Sequence, residues 1–201
     1  MLLNLPEVTI SEEAGAKLQV YHDLLIRWQK SVNLVSSNTI SEAWNRHFFD
    51  SAQIANLVSR EAKIVDIGSG AGFPGLVLGS LKDIDLHLIE SDDKKSQFMR
   101  SVSREANIPA LIHNARVENV DIDAPDYITS RALADLSKLL ELTEKWWSKN
   151  KKINLIFLKG KNADAEIGQA QILFQFDCDI YQSNTDPSGR ILKLTNIHRI
   201  P

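Results

Sequence analysis

The residues best suited to chemistry cluster in Asp66-Ile67-Gly68-Ser69-Gly70-Ala71-Gly72-Phe73-Pro74-Gly75. Glycines at alternate positions let the chain turn sharply and bring its backbone against a ligand with no Cβ in the way. The apolar run Lys63–Ile67 leads into this stretch, and Pro74 suits the start of a following helix because its missing N–H would be unpaired there anyway. Loops of this kind hold nucleoside cofactors. The dinucleotide fingerprint needs a third glycine three positions after the second. From Gly68 and Gly70 that position holds Phe73, so the pyrophosphate-binding version fails.

A second group follows at Glu90, which closes the apolar run Asp85–Glu90. A carboxylate at such a strand end can accept both ribose hydroxyls. Nicotinamide enzymes use the same device, so Glu90 supports a nucleoside ligand without choosing between cofactors. A helix-capping acid beside Ser91 is an equal reading. Arg131 follows the run Asp126–Thr129, at the edge where open α/β sheets bind ligands.

These groups need elements to hold them. Residues 1–60 read as a helical extension. Ser11 is a plausible N-cap, with Glu12 and Glu13 suited to the positive end of the helix. Leu18, Tyr21, Leu25, Trp28 and Val32 recur at helical spacing. After a break at Ser36-Ser37-Asn38, a second helix is predicted from Ser41, carrying Trp44, Phe48 and Ala52 inward. Residues 61–201 read as the core. Strands are predicted at Lys63–Ile67, Asp85–Glu90, Ala110–Ile112, Asp126–Thr129 and Ile153–Leu158. Helices are predicted at Gly75–Leu81, Ser91–Ala106, Leu133–Trp147 and from Ala163. Such alternation argues for a parallel sheet with helices on both faces. Two last strands, Ile172–Asp179 and Arg190–Thr195, flank the turn-rich Asn184–Gly189 as an antiparallel hairpin. The predicted class is α/β, a Rossmann-like, seven-stranded, mostly parallel sheet with an N-terminal helical extension.

The composition sets limits. The 201 residues carry a net charge of -3, so nucleic-acid contact would have to come from local basic patches. A single cysteine, Cys178, excludes an internal disulfide framework and fits a reducing cytosol. The N-terminal MLLNLP run lacks the basic region of a signal peptide, and no window has the length of a bilayer span. No His/Cys cluster has metal spacing, so no metal and no membrane contact is expected, and a cytoplasmic location is.

The spacing D-x-G-x-G-x-G resembles the cofactor loop of class I S-adenosylmethionine-dependent methyltransferases, in which the glycines pass beside the methionine part. The chain also carries Asn33-Leu34-Val35-Ser36, Arg46-His47-Phe48-Phe49-Asp50-Ser51, the loop extension Gly72-Phe73-Pro74-Gly75, Ser130-Arg131-Ala132 and Lys159-Gly160. In these segments, spread over nearly the whole chain, it resembles the bacterial 16S ribosomal RNA (guanine-N7) methyltransferases, the RsmG or glucose-inhibited division protein B family.

The resemblance implies S-adenosylmethionine as cofactor and, as partner, a guanine in the decoding-centre stem-loop of 16S ribosomal RNA or the small ribosomal subunit; a monomer is expected, since nothing in the sequence suggests an obligate dimer. Asp66, Gly68, Gly70, Gly72 and Phe73 would form the methionine and adenosine pocket, Glu90 would hold the ribose, and Val117 and Glu118 would meet the adenine edge. Relatives often read Arg-Ala-Glu-Glu where this chain has Arg116-Val117-Glu118-Asn119, which keeps Glu118 in place. Arg131 would stand at the mouth of the site as cofactor-binding and catalytic residue, its guanidinium facing the cofactor carboxylate, a guanine edge or a phosphate. Its bland reading is a surface arginine.

RNA contacts are expected of His47, Asp50, Lys94, Lys95, Lys159 and Lys161. For His47 and Asp50 an interhelical hydrogen bond is an equal reading, and Lys94 and Lys95 are as readily solvated. A methyl transfer to guanine N7 needs no general base, because that nitrogen carries a lone pair and no proton; positioning and electrostatics suffice. The absence of an N-P-P-Y-like motif, and of a cysteine in a motif suited to covalent attack on a pyrimidine, fits that chemistry. The competing readings are a methyltransferase for a small molecule or protein, a nicotinamide oxidoreductase, and a non-catalytic RNA-binding module.

Overall fold

The computed structural model describes residues 2–200; Met1 and Pro201 lie outside the described residues. One sheet of eight strands runs in the order β1-β7-β8-β6-β5-β2-β3-β4. The strands are β1 (Leu2–Leu3), β2 (Lys63–Ile67), β3 (Asp85–Glu90), β4 (Leu111–Asn114), β5 (Tyr127–Arg131), β6 (Asn154–Lys159), β7 (Phe174–Gln182) and β8 (Arg190–Arg199). All neighbours pair in parallel except β8, which runs antiparallel to both β6 and β7. The central strands β2, β5 and β6 are buried nearly throughout, as expected when helices cover both faces.

The helices are α1 (Glu12–Gln29), α2 (Asp50–Ala52), α3 (Gly75–Leu81), α4 (Asp93–Glu105), α5 (Leu136–Trp147) and α6 (Ala163–Ala170). Ser11 caps α1 by accepting from the Ala14 amide, Asp92 caps α4 through the Lys95 amide, and Asp135 caps α5 through the Lys138 amide. One face of the sheet packs Tyr21, Leu25, Phe48, Phe73, Leu76 and Phe98 into a single cluster, so α1 and its successor share a core with α3 and α4. The other face is closed by α5 and α6, with Leu139, Trp146, Trp147 and Phe174 buried. No helix among the described residues is long and apolar enough to cross a membrane.

Two N-terminal expectations are corrected. The second helix is not a continuous α-helix from Ser41. Ser37–Glu42 forms a 3₁₀ segment and Trp44–Phe49 a π-helical turn, which runs into α2. The wider turn buries His47 and Phe48 and leaves Phe49 exposed. π turns occur where side chains must be re-aimed, often at functional sites. The sheet also has an eighth strand: Leu2 and Leu3 pair with Ile180 and Tyr181 and cover part of the outer edge of β7.

Candidate active site

The C-terminal ends of β2, β3, β5 and β6 open into a cavity of about 650 Å³, within the range of cavities that enclose small ligands. The glycine loop forms its floor. Gly68, Gly70 and Gly72 have φ of +62°, +58° and +94°, which side-chain-bearing residues rarely adopt. A Cβ on Gly68 would lie 2.5 Å from Leu133 Cδ1, and one on Gly72 would lie 2.4 Å from Leu76 Cδ1. Gly68, Gly70 and Phe73 line the cavity, whereas Gly72 and Asp66 lie behind it.

Asp66 is fully buried and works from beneath the loop. Its Oδ1 accepts from Thr129 Oγ1 at 2.8 Å, and its backbone carbonyl accepts from Ser69 Oγ at 2.9 Å. Burial pushes its carboxyl up to about 6, opposed by the Thr129 and Ser69 hydroxyls and the Gly75 amide. Glu90 ties the glycine loop to the approach of α4, whose N-cap is Asp92. Its Oε2 accepts from the Gly70 amide at 2.9 Å, and its Oε1 accepts from the Asp92 amide at 2.8 Å, beside α4. A carboxylate has about four lone-pair sites, so capacity for two ribose hydroxyls remains.

Val117 and Glu118 also line the cavity, on the short 3₁₀ turn Val117–Asn119; Val117 is buried and Glu118 exposed. Lys145 braces this turn from α5, its ammonium donating to the carbonyls of Val117 and Val120.

Arg131 ends β5 with its guanidinium carbon 4.8 Å from the centre of the Phe73 ring. Its Nη1 donates to the Arg46 carbonyl at 3.1 Å and to Asp50 Oδ2 at 3.3 Å. His47 is buried against Phe73, with ring centres 5.3 Å apart. Its Nε2 lies 2.9 Å from Thr39 Oγ1, whose own proton goes to the Ser36 carbonyl at 2.8 Å, so His47 is the donor. Burial, with Arg131 and Arg46 nearby, lowers the His47 pKa to about 4 and keeps the ring neutral at pH 7.

His47, Asp50 and Lys95 line the cavity; Lys94 and Lys161 are exposed outside its wall. Lys159 lines it too, but its ammonium is engaged by Glu166 Oε2 and the Ala134 carbonyl, both at 2.6 Å. A phosphate contact there would require that pair to open.

The sequence reading missed the wall facing the glycine loop. Ser183, Thr185 and Asp186, from the β7–β8 turn, and Arg190 at the start of β8 line the same cavity as Thr39 and Arg46. Turn residues announce a reversal of the chain and give no periodic sign of what the turn touches.

Residues 14–188 match the family described as rRNA small subunit methyltransferase G. The chain belongs to this family. It is 37% identical over 194 residues to the protein of that name from Rhodospirillum rubrum, covering 96% of each chain. It is 40% identical to that from Rhodospirillum centenum, covering 94% of this chain and 87% of the other. Among solved structures it is similar to a TehB-like SAM-dependent methyltransferase from Corynebacterium glutamicum, with a TM-score of 0.57, 15% identity and coverage of 89% of this chain and 99% of the other. It is also similar to a ribosomal protein L11 methylase from Lactobacillus delbrueckii subsp. bulgaricus, with a TM-score of 0.57, 19% identity and coverage of 74% and 79%. The fold is that of S-adenosylmethionine-dependent methyltransferases, and the chain is an enzyme of that class. The cavity fits the cofactor: Gly68, Gly70 and Phe73 line it on one side, and Glu90 keeps acceptor capacity at the strand end.

Proposed function

We propose that this chain methylates N7 of a guanine in the decoding-centre stem-loop of 16S ribosomal RNA, acting in the cytoplasm as a monomer on that RNA or on the small subunit. S-adenosylmethionine supplies a methyl carbon on a sulfonium, open to in-line attack by a lone pair. Gly68, Gly70 and Phe73 would hold its methionine part, Glu90 its ribose, and Val117 and Glu118 its adenine. Asp66 and Gly72 support this pocket by shaping the loop.

The observation that carries the reading concerns the wall built by residues 39–50 and the β7–β8 turn. The two carboxylates of that wall that line the cavity are engaged: Asp50 by Arg131 and Thr185, and Asp186 by Arg46 at 3.2 Å. Neither cavity-lining carboxylate of that wall stands open as a base, and none is needed, since guanine N7 has no proton to give. Arg131 then acts by placing charge and hydrogen bonds beside the reacting groups, with its guanidinium over the Phe73 ring. Arg46, Lys95, Arg116 and Arg190 line the opening and supply local positive charge for phosphates, despite the negative net charge. Lys94 and Lys161 would extend this rim, and Lys159 would join it on leaving Glu166. Nucleoside analysis of small-subunit RNA from cells with and without the gene tests the reading: 7-methylguanosine in the decoding-centre fragment should depend on the gene.

A further inference from the structure

The Asp50 carboxylate joins three segments distant in sequence. Oδ2 receives Nη1 of Arg131 at the end of β5. Oδ1 receives the Thr185 hydroxyl from the β7–β8 turn at 2.8 Å and the Gln53 side-chain amide at 2.9 Å. The same two segments are tied again beside it, where Gln53 accepts from the Asn184 amide at 2.8 Å and donates to Ser183 Oγ at 3.2 Å. Arg131 is therefore gripped on one nitrogen by Asp50 and the Arg46 carbonyl, while its guanidinium stands over the Phe73 ring. Both members of the pair are largely shielded from water, with side-chain exposures of 17% for Arg131 and 20% for Asp50, so removing one leaves the other poorly compensated.

We propose that Asp50 is a positioning residue for methyl transfer. It fixes Nη1 of Arg131 so that Nε and Nη2 face the reactants, and the Thr185 hydroxyl fixes Asp50 in turn. The β7–β8 turn thereby becomes part of the catalytic apparatus without touching the reacting atoms. The inference rests on the proposed reading only in taking RNA as the methyl acceptor.

The test is a double-mutant cycle on kcat/KM for labelled methyl transfer to small-subunit RNA, with thermal melting and cofactor affinity measured for each variant. Asp50→Asn lowers kcat/KM on the order of 10- to 100-fold. Arg131→Ala lowers it further, and the double variant is no worse than Arg131→Ala alone, since Asp50 acts only through the arginine. Thr185→Val loses about 3-fold or more, and Thr185→Ser, which keeps the hydroxyl, recovers most of that loss. Should Asp50→Asn fail to fold, the Thr185→Val and Arg131→Ala cycle reads the same coupling. Additive losses in the cycle overturn the inference, as does an Asp50→Asn protein with lowered stability and unchanged kcat/KM. Failure of the wild-type protein to label RNA at all would instead count against the proposed reading.

Discussion

The Glu90 carboxylate bridges Gly70 and Asp92, accepting one backbone amide on each oxygen at 2.9 Å and 2.8 Å. One side chain thus ties the glycine loop to the approach of α4, so a ribose held at Glu90, as proposed, would also stabilise the loop. Glu90→Gln keeps one acceptor and replaces the other by an amide that faces an N–H donor. It should weaken S-adenosylmethionine binding about 10-fold or more, by calorimetry, and lose part of the cofactor's thermal protection.

Gly68→Asp tests the floor of the cavity. The position has φ +62° and Leu133 occupies the space of a Cβ, so the substitution adds strain, volume and charge at once. Cofactor binding should be abolished while the far-ultraviolet circular dichroism stays that of the wild type. Retained affinity would show that the loop does not contact the cofactor at Gly68.

Asp66 and His47 give opposite pH signatures to folding. The folded Asp66 carboxyl titrates near 6 against an ordinary value of 3.8, so its contribution is fully present below the lower value and is lost as pH rises through 6. Denaturation from pH 4 to 8 should show Asp66→Asn gaining on wild type by roughly 2–3 kcal/mol across that window. His47 is lowered from 6.5 to about 4, so its contribution is present above 6.5 and is lost as pH falls toward 4. His47→Gln should remove that loss, and neither variant should change the pH slope above pH 7.5.

Lys145 supports the Val117–Asn119 turn, the proposed adenine wall, from behind. Its donors go to the Val117 and Val120 carbonyls, and it stands 4.4 Å over the Trp146 ring. Lys145→Met keeps the aliphatic stem and removes the donors. Cofactor Kd should rise a few-fold, with kcat at saturating cofactor nearly unchanged.

Much of the positioning frame was legible because its signals are local. The β-branched run Lys63–Ile67, the helix Gly75–Leu81 and the strand Asp85–Glu90 coincide with the observed elements. These flank the glycine loop, so the presence of Gly68, Gly70, Phe73 and Glu90 around one cavity follows from local signals. The N-terminal strand could not, because Leu2-Leu3 is too short for any periodicity and pairs with Ile180 and Tyr181 from the far end of the chain. The π turn at Trp44–Phe49 resembles an α-helix in its apolar spacing, and only tertiary packing decides which residues it buries. The roles of Asp66 and Lys159 were hidden for a related reason. Their types suggest ligand contact, while burial beneath the loop and pairing with Glu166 are settled by the folded chain.

The most direct test of the central claim is transfer of labelled methyl from S-adenosylmethionine to small-subunit RNA from cells lacking this gene, followed by mapping of the modified nucleotide. The account predicts one labelled guanine N7 in the decoding-centre stem-loop, lost with Arg131→Ala and with Gly68→Asp. Cofactor binding with no label on RNA, or label on another atom or nucleotide, would contradict it.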